Sequence, residues 1–240
     1  MPEKFKRTRG YHCVNNMSIS IKWLAQAGFQ IKTAEKIIYI DLVYYKKYKE
    51  KIGEISEKAD LILVTHAHGD HCQPTTLEKV RKDDTVVIAP SQCAKKIGGN
   101  VKILNPGEEA AFDDITIKAV EAHNYKRFRS PGKPWHPKGY GVGYVITIEG
   151  KTIYHAGDTD FIPEMRNLGQ VDVALLPTGN KYTMDNLEAA EAAVMINPEI
   201  VLSMHRWDTN PEEFREKVEA NSAIKVVILQ EGEVCEVVNG

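Results

Sequence analysis

The sequence predicts an α/β protein made of two similar halves, and three observations carry that reading. Short apolar runs of strand length alternate with helix-like segments, the order β-meander then α/β stretch occurs twice, and no Gly/Pro/Ser-rich linker separates the two occurrences. We therefore read residues 1–240 as one domain. With 42% hydrophobic and 27% charged residues the chain is close to ordinary globular usage and long enough to bury a sizeable core. A formal net charge of -2 argues against a nucleic-acid partner, which favours a basic surplus.

The elements follow in order. Ser18–Leu24, Phe29–Thr33 and Lys36–Asp41 alternate or run apolar, with breaks at Gly28 and Ala34-Glu35, and read as an antiparallel meander. Leu61-Ile62-Leu63-Val64 is a short buried strand ending in a histidine-rich turn. Pro74–Lys82 reads as a helix with proline in its first turn, Val86–Ala89 as a strand, Gln92–Ile97 as a helix and Val101–Leu104 as a strand. The second half repeats the rhythm. Ile115–Val120, Gly143–Ile148 and Thr152–Tyr154 are strands, the last two joined by a Glu149-Gly150 hairpin. Val171–Leu176, Ile200–Met204 and Lys225–Leu229 are strands separated by the helices Asn186–Ile196 and Pro211–Ala220, and Glu233–Val238 closes the chain. Between the halves' strands, Asn124–Lys138 carries Pro131, Gly132, Pro134 and Pro137 and is expected to hold no regular structure.

Other classes are excluded by what the sequence lacks. Cys13, Cys72, Cys93 and Cys235 form no C-x-x-C pair and read as reduced, mostly buried thiols. The basic start MPEKFKRTRG is followed by no apolar segment, so it does not read as a secretory signal, and Asn16-Met17-Ser18 is an idle glycosylation match. No apolar run approaches the roughly 20 residues of a membrane helix, which leaves no membrane partner and a cytoplasmic expectation.

The chemistry concentrates in Thr65-His66-Ala67-His68-Gly69-Asp70-His71, directly after a predicted buried strand. Imidazole and carboxylate are ligands for zinc and similar divalent ions, and the carboxyl ends of strands are where α/β sheets bind ligands. Three further candidates also follow predicted strands: His123, Asp158 within His155-Ala156-Gly157-Asp158, and His205. Each alone would read as an ordinary polar residue; the cluster's need for partners is what raises them. His155 reads as a buried structural residue, and His12 has no role.

The H-x-H-x-D-H pattern, the later His, the Gly-Asp and the final His resemble the metallo-β-lactamase superfamily of metal-dependent hydrolases. Tyr154–Thr159, Leu175–Gly179, Tyr182–Asp185 and Met204-His205 resemble its small cytosolic branch, which includes ascorbate-6-phosphate lactonase. The chain departs from many members at Gln26, where they carry a histidine. The resemblance implies a four-layer αββα sandwich and a dinuclear site. His66, His68 and His123 would hold one metal, Asp70, His71 and His205 the second, with Asp158 bridging. A hydroxide between the ions would be the nucleophile, with Asp70 steering it or shuttling a proton. Zinc suits this donor set best, and manganese or iron are compatible with it.

Loop 124–138 has five cations and no acid, so it points to a small anionic ester, lactone or phosphodiester. Arg127, Arg129, Trp135 and His136 from the loop, with Lys181 and Tyr182, are its candidate substrate contacts, against the alternative of a solvated loop. Two other readings stay open: a nuclease of the same superfamily, and a non-catalytic metal- or ligand-binding protein. Members of the superfamily often associate, so the resemblance is compatible with a homo-oligomer.

Overall fold

The computed structural model describes residues 18–238. The basic start, His12, Cys13 and Asn16-Met17 lie outside the described residues. The first half runs β1 (Ser18–Ala25), β2 (Gly28–Lys32), β3 (Ile37–Ile40), the one-turn helix α1 (Lys49–Ile52), β4 (Leu61–Leu63), α2 (Pro74–Val80), β5 (Val86–Ala89), α3 (Ser91–Ile97) and β6 (Lys102–Ile103). The second runs β7 (Glu109–Phe112), β8 (Ile115–Ala122), β9 (Phe128–Ser130), β10 (Lys133–Pro134), β11 (Gly141–Ile148) and β12 (Lys151–His155). It continues with β13 (Val173–Pro177), α4 (Asn186–Ile196), β14 (Ile200–Met204), α5 (Pro211–Glu219), β15 (Lys225–Val227) and β16 (Val234–Val238).

Two large sheets result, ordered β16-β1-β2-β3-β4-β5-β6 and β15-β14-β13-β12-β11-β8-β7. Each is antiparallel on one side and parallel on the other, the parallel strands being β3 to β6 in the first sheet and β12 to β15 in the second. The chain's last strand returns to pair with β1 and extends the first sheet at that edge. The halves are thus alike, as the recurring order predicts.

Period-2 alternation explains the layering. In β3, β4 and β5 the residues Ile38, Ile40, Leu61, Leu63 and Ile88 face the second sheet, where they join Ile117, Tyr144 and Ile146 in one core. Their neighbours Tyr39, Ile62, Val87 and Ala89 face the other way, onto Leu77 and Val80 of α2 and Cys93 and Ile97 of α3. Strands covered on both faces read as unbroken apolar runs, which is why Leu61–Val64 showed no alternation. Helices α4 and α5 cover the second sheet through Ala189, Ala193, Phe214 and Val218. The architecture is the αββα sandwich. Helix α4 starts on a capping box in which Asp185 accepts from the Glu188 N–H while the Glu188 side chain accepts from Asp185 N–H.

One expectation fails. Loop 124–138 does hold regular structure: β9 and β10 form a short hairpin. Its turn is Pro131-Gly132, with Gly132 at φ 71, so the residues that read as breakers are those a tight turn requires. The Glu149-Gly150 hairpin is as expected, both residues having positive φ (48 and 77). Among the described residues, no helix is long and apolar enough to cross a membrane. Cys72, Cys93 and Cys235 are buried free thiols.

The sheets are also tied by a polar contact: the buried Tyr144 hydroxyl of β11 donates to Val64 O, just past β4, at 2.9 Å. We expect Tyr144→Phe to lower stability by about 1 kcal/mol. Urea unfolding of the variant measures this, and an unchanged midpoint would show that the contact contributes nothing.

Candidate metal centre

The site is assembled at one edge of the sandwich, where β3, β4, β12, β13 and β14 all end. Asp41 follows β3, the Thr65–His71 turn follows β4, Asp158 follows β12 and His205 follows β14. Strand β11 runs antiparallel to β8 and β12, so its beginning lies at the edge where those two strands end. The loop leaving β8 therefore departs from this edge and returns to it, carrying His136 inward.

Three groups of ligand-type atoms converge there: His66, His68 and His136; His66, His71 and Asp158; and Asp70, His71 and His205. His66 Nε2 and His136 Nε2 each lie 3.1 Å from His68 Nδ1. Asp158 stands between the groups, 3.4 Å from His136 Nε2, 3.4 Å from His71 Nε2 and 3.6 Å from His205 Nε2. His205 Nε2 lies 3.3 Å from Asp70 and 3.2 Å from His71 Nε2.

The surroundings decide which nitrogen of each ring faces inward. Asp41, buried, accepts from the Thr65 N–H at 2.7 Å, the Thr65 hydroxyl at 2.6 Å and His71 Nδ1 at 2.7 Å. The Thr65 hydroxyl proton is thus committed, and its oxygen accepts from His66 Nδ1 at 3.0 Å. His136 Nδ1 donates to Asn124 Oδ1 at 2.7 Å. Asn124 is itself held by donating to Asp160 and to Tyr182 O. In the neutral rings of His66 and His136, Nδ1 carries the proton and Nε2 offers a lone pair inward; in His71 the Asp41 bond likewise turns Nε2 inward.

His205 differs. Its Nδ1 accepts from Trp207 Nε1 at 3.0 Å, so its proton sits on Nε2, toward Asp70. A cation at that Nε2 would shift the proton to Nδ1 and break the Trp207 contact.

Charge is distributed accordingly. Burial, reinforced by the neighbouring imidazoles, holds His66 well below its ordinary value and pushes His136 down to about 4. Burial also opposes charge on His71, but Asp158 and Asp41 outweigh it and hold His71 well above the usual range. Asp158 lies well below the carboxylate range because His205 and His71 outweigh its burial.

A divalent cation fits this donor set. Lone pairs aimed at one another at 3.1 Å repel unless a proton or cation intervenes. The buried Asp158 Oδ1 accepts no hydrogen bond. Hydrogen-bonded imidazoles with their free nitrogens converging on a buried carboxylate are what zinc-type ions take.

The geometry departs from the sequence expectation at His123. It stands apart from the converging groups, its Nε2 buried without a hydrogen bond and 3.7 Å from Glu164. Its backbone does local work, donating to the Thr159 hydroxyl and accepting from Asp160 N–H. The place beside His66 and His68 is taken by His136, which the sequence reading had put among substrate contacts.

Arg127 is corrected as well. Its guanidinium donates to Asp160 at 2.7 Å, to Asn180 O at 2.7 Å and to Glu188, so it anchors the loop. Lys126 also pairs with Glu188, and Lys138 with Glu164. The loop's positive charge is largely neutralised by acids from elsewhere in the chain. Arg129 is exposed on the hairpin, and Lys181 is exposed with its Nζ 5.1 Å from the Tyr182 ring. Trp135 and Tyr182 meet edge to face at 4.7 Å, and Tyr182 adjoins Trp207 at 5.5 Å, so these rings form an aromatic rim beside His205.

Asp41, Thr65, Asn124 and Asp160 were missed. Asp41 had a signal, since it ends a predicted strand as the chosen candidates do. Gly157 turns at φ 64 beside Asp158, as expected, and a Cβ there would meet Val142 O at 2.6 Å. His155 is buried, its Nε2 donating to Ala27 O at 2.8 Å.

Comparison with known proteins gives the family. The profile of the β-lactamase superfamily domain matches residues 20–205. A metal-dependent hydrolase from Pelotomaculum thermopropionicum is 36% identical over 91% of this chain and 100% of its own length. Another from Thermococcus kodakarensis is 34% identical over 91% and 99%. Among solved structures, a metallo hydrolase from Ignicoccus hospitalis superposes with TM-score 0.73 at 26% identity, covering 92% of this chain and 98% of that one. An isothiocyanate hydrolase from Delia radicum gut bacteria shares the fold, with TM-score 0.71 at 19% identity over 92% and 100%.

Two outcomes are expected. A Cβ on Gly179 would lie 2.2 Å from His205 O and 2.6 Å from Trp207, so Gly179→Ala must displace His205. Its thermal midpoint should fall by several degrees, and an unchanged midpoint would refute the clash. For Asp70, burial raises its pKa, but the His205 hydrogen bond and the His71 charge outweigh this and hold it at about 2. A depressed pKa stabilises the fold above the unfolded value near 4, and that contribution is lost as pH falls toward about 2. Denaturation of chelator-treated protein across that window should show a shallower acid loss in Asp70→Asn; identical slopes would refute the assignment.

Proposed function

Because the chain belongs to the β-lactamase superfamily and is a metal-dependent hydrolase, we propose that it hydrolyses a small anionic ester, lactone or phosphodiester at a dinuclear centre. The observation that carries the reading is the convergence of imidazole nitrogens on the buried Asp158 carboxylate. We assign His66, His68 and His136 to one ion and Asp70, His71 and His205 to the second, with Asp158 shared. Zinc suits the set best, and manganese or iron are compatible. Such ions, when bound, lower the pKa of water from about 15.7 to about 7 and polarise the bond to be cleaved.

The chain's own residues supply the rest. Asp41 and Asn124 bind Nδ1–H of His71 and His136, so Nε2 is the nitrogen that each ring turns toward the centre. Asp70 is ionised and, at 28% side-chain exposure, reaches solvent, so it is placed to accept a proton from an incoming water. Trp135, Tyr182 and Trp207 offer apolar faces to the organic part of a substrate beside His205.

The test is metal content and hydrolysis of the same preparations against sugar-phosphate lactones, phosphodiesters and esters. His136→Ala should lose an ion and cut the rate by more than the roughly 10–100-fold that outer partners cost, while His123→Ala keeps both ions. Metal lost from His123→Ala but retained in His136→Ala would overturn the ligand assignment. Full metal occupancy with no turnover on any class would instead favour a ligand-binding protein.

A further inference from the structure

A cavity of about 350 Å³ opens beside the metal centre, lined in part by Trp23, Gln26, Arg206, Trp207 and Thr209. That is within the range of small-molecule sites. It shares a wall with the centre. Gln26 O accepts the His205 N–H at 2.9 Å, and the Trp207 indole donates to the His205 ring.

Arg206 is the unusual group in this cavity. Only 9% exposed, it lies with its guanidinium 4.1 Å from the centroid of the Trp23 ring. Its one side-chain hydrogen bond among the described residues goes from Nη2 to Leu229 O. Among those residues, no carboxylate lies within ion-pair distance of it. Buried charges are costly and are ordinarily paired, so a buried guanidinium with most of its five donors unused calls for a partner. By contrast, the other arginine beside the centre, Arg127, is saturated by its own protein.

We propose that this cavity is a substrate subsite in which Arg206 receives an oxyanion, a carboxylate or a phosphate, at the end of the molecule away from the bond being cleaved. The proposal rests on the hydrolase reading above and gives its anionic substrate a place. Glu231 and Glu233 favour the Arg206 charge from beyond ion-pair distance and so leave its donors free. Glu231 is paired with Lys51 at 2.8 Å, and Asp208 is exposed at the mouth, where salt screens it. Trp23 lies against the guanidinium, and the N–H groups that Leu229 O does not take can meet a planar or tetrahedral oxyanion.

The test is calorimetric titration of the full chain, metal-loaded and chelator-treated, with phenyl phosphate, benzoate and benzyl alcohol. Both anions, or the one the site is built for, should bind at least tenfold more tightly than the neutral alcohol in both preparations. The tighter anion identifies phosphate or carboxylate as the natural group. Arg206→Gln should weaken that binding at least tenfold and Arg206→Lys less. Anion binding that is unchanged in folded Arg206→Gln, or no tighter than the alcohol in the native chain, overturns the subsite. If Arg206→Gln does not fold, the native-chain comparison and a crystal soaked with phenyl phosphate decide, and density on the His/Asp cluster alone would refute it. Failure of the hydrolase reading would appear separately, as anion binding at Arg206 without hydrolysis of any substrate.

Discussion

The Asp41 carboxylate is the interaction on which the site depends. Buried beyond solvent, it takes three hydrogen bonds from Thr65 and His71. These bonds fix the chain's exit from β4, so the turn that follows presents its side chains to one point. They also fix proton positions: directly on His71, and through the Thr65 hydroxyl on His66. Without Asp41 several buried donors would be left unmatched, at about 1–3 kcal/mol each, and both rings could turn an N–H inward instead of a lone pair. The backbone accommodates this acid at some cost. Asp41 has φ 46, and Gly28 leaves room for its carbonyl, since a Cβ on Gly28 would lie 2.9 Å from Asp41 O.

Strand direction explains which histidine joins the converging groups. The rule that ligands follow the carboxyl ends of strands holds for Asp41, His66, Asp158 and His205, all beyond parallel or parallel-edge strands. It selects His123 too, because that residue directly follows β8. Yet β8 is antiparallel to β11, so the start of β11 occupies the same edge, and a residue before it is equally eligible. His136 is such a residue. Asn124 then separates the two histidines functionally: its side-chain oxygen takes both the backbone and the ring N–H of His136, pinning that ring inward. A reading of strand ends that ignores antiparallel neighbours counts only half the chain that reaches an edge.

The fold was legible because burial on both faces leaves a plain trace. Leu61–Val64 and Val171–Leu176 are apolar runs of strand length, and the repeated order gave the two halves. The H-x-H-x-D-H turn was legible because its density of ligands has no ordinary explanation. Loop charge was not, since sequence shows the cations of residues 126–138 but not the acids that fold back on them. Glu188 sits about 60 residues away in sequence, yet holds both Lys126 and Arg127. Arg206 illustrates the reverse: one arginine beside His205 looks unremarkable until its burial is seen, with no carboxylate at ion-pair distance among the described residues.

Strain links the centre to the neighbouring cavity. Gln26, His205 and Trp207 all have left-handed backbones, with φ 52, 47 and 49. Each such residue costs roughly 1–2 kcal/mol, and none is a glycine or one of the short polar residues that tolerate it. All three lie on the wall that the centre and the cavity share. Their conformations point His205 inward while carrying Arg206, between the other two, back onto Trp23. Relaxed backbone at these positions would alter both placements together. The Trp207 indole, which walls the cavity, donates to the His205 ring, so a side-chain contact joins the two as well as the backbone. Any change in the His205 backbone would therefore reach the cavity wall through Gln26 and Trp207, which makes the two parts of one continuous surface rather than separate neighbours.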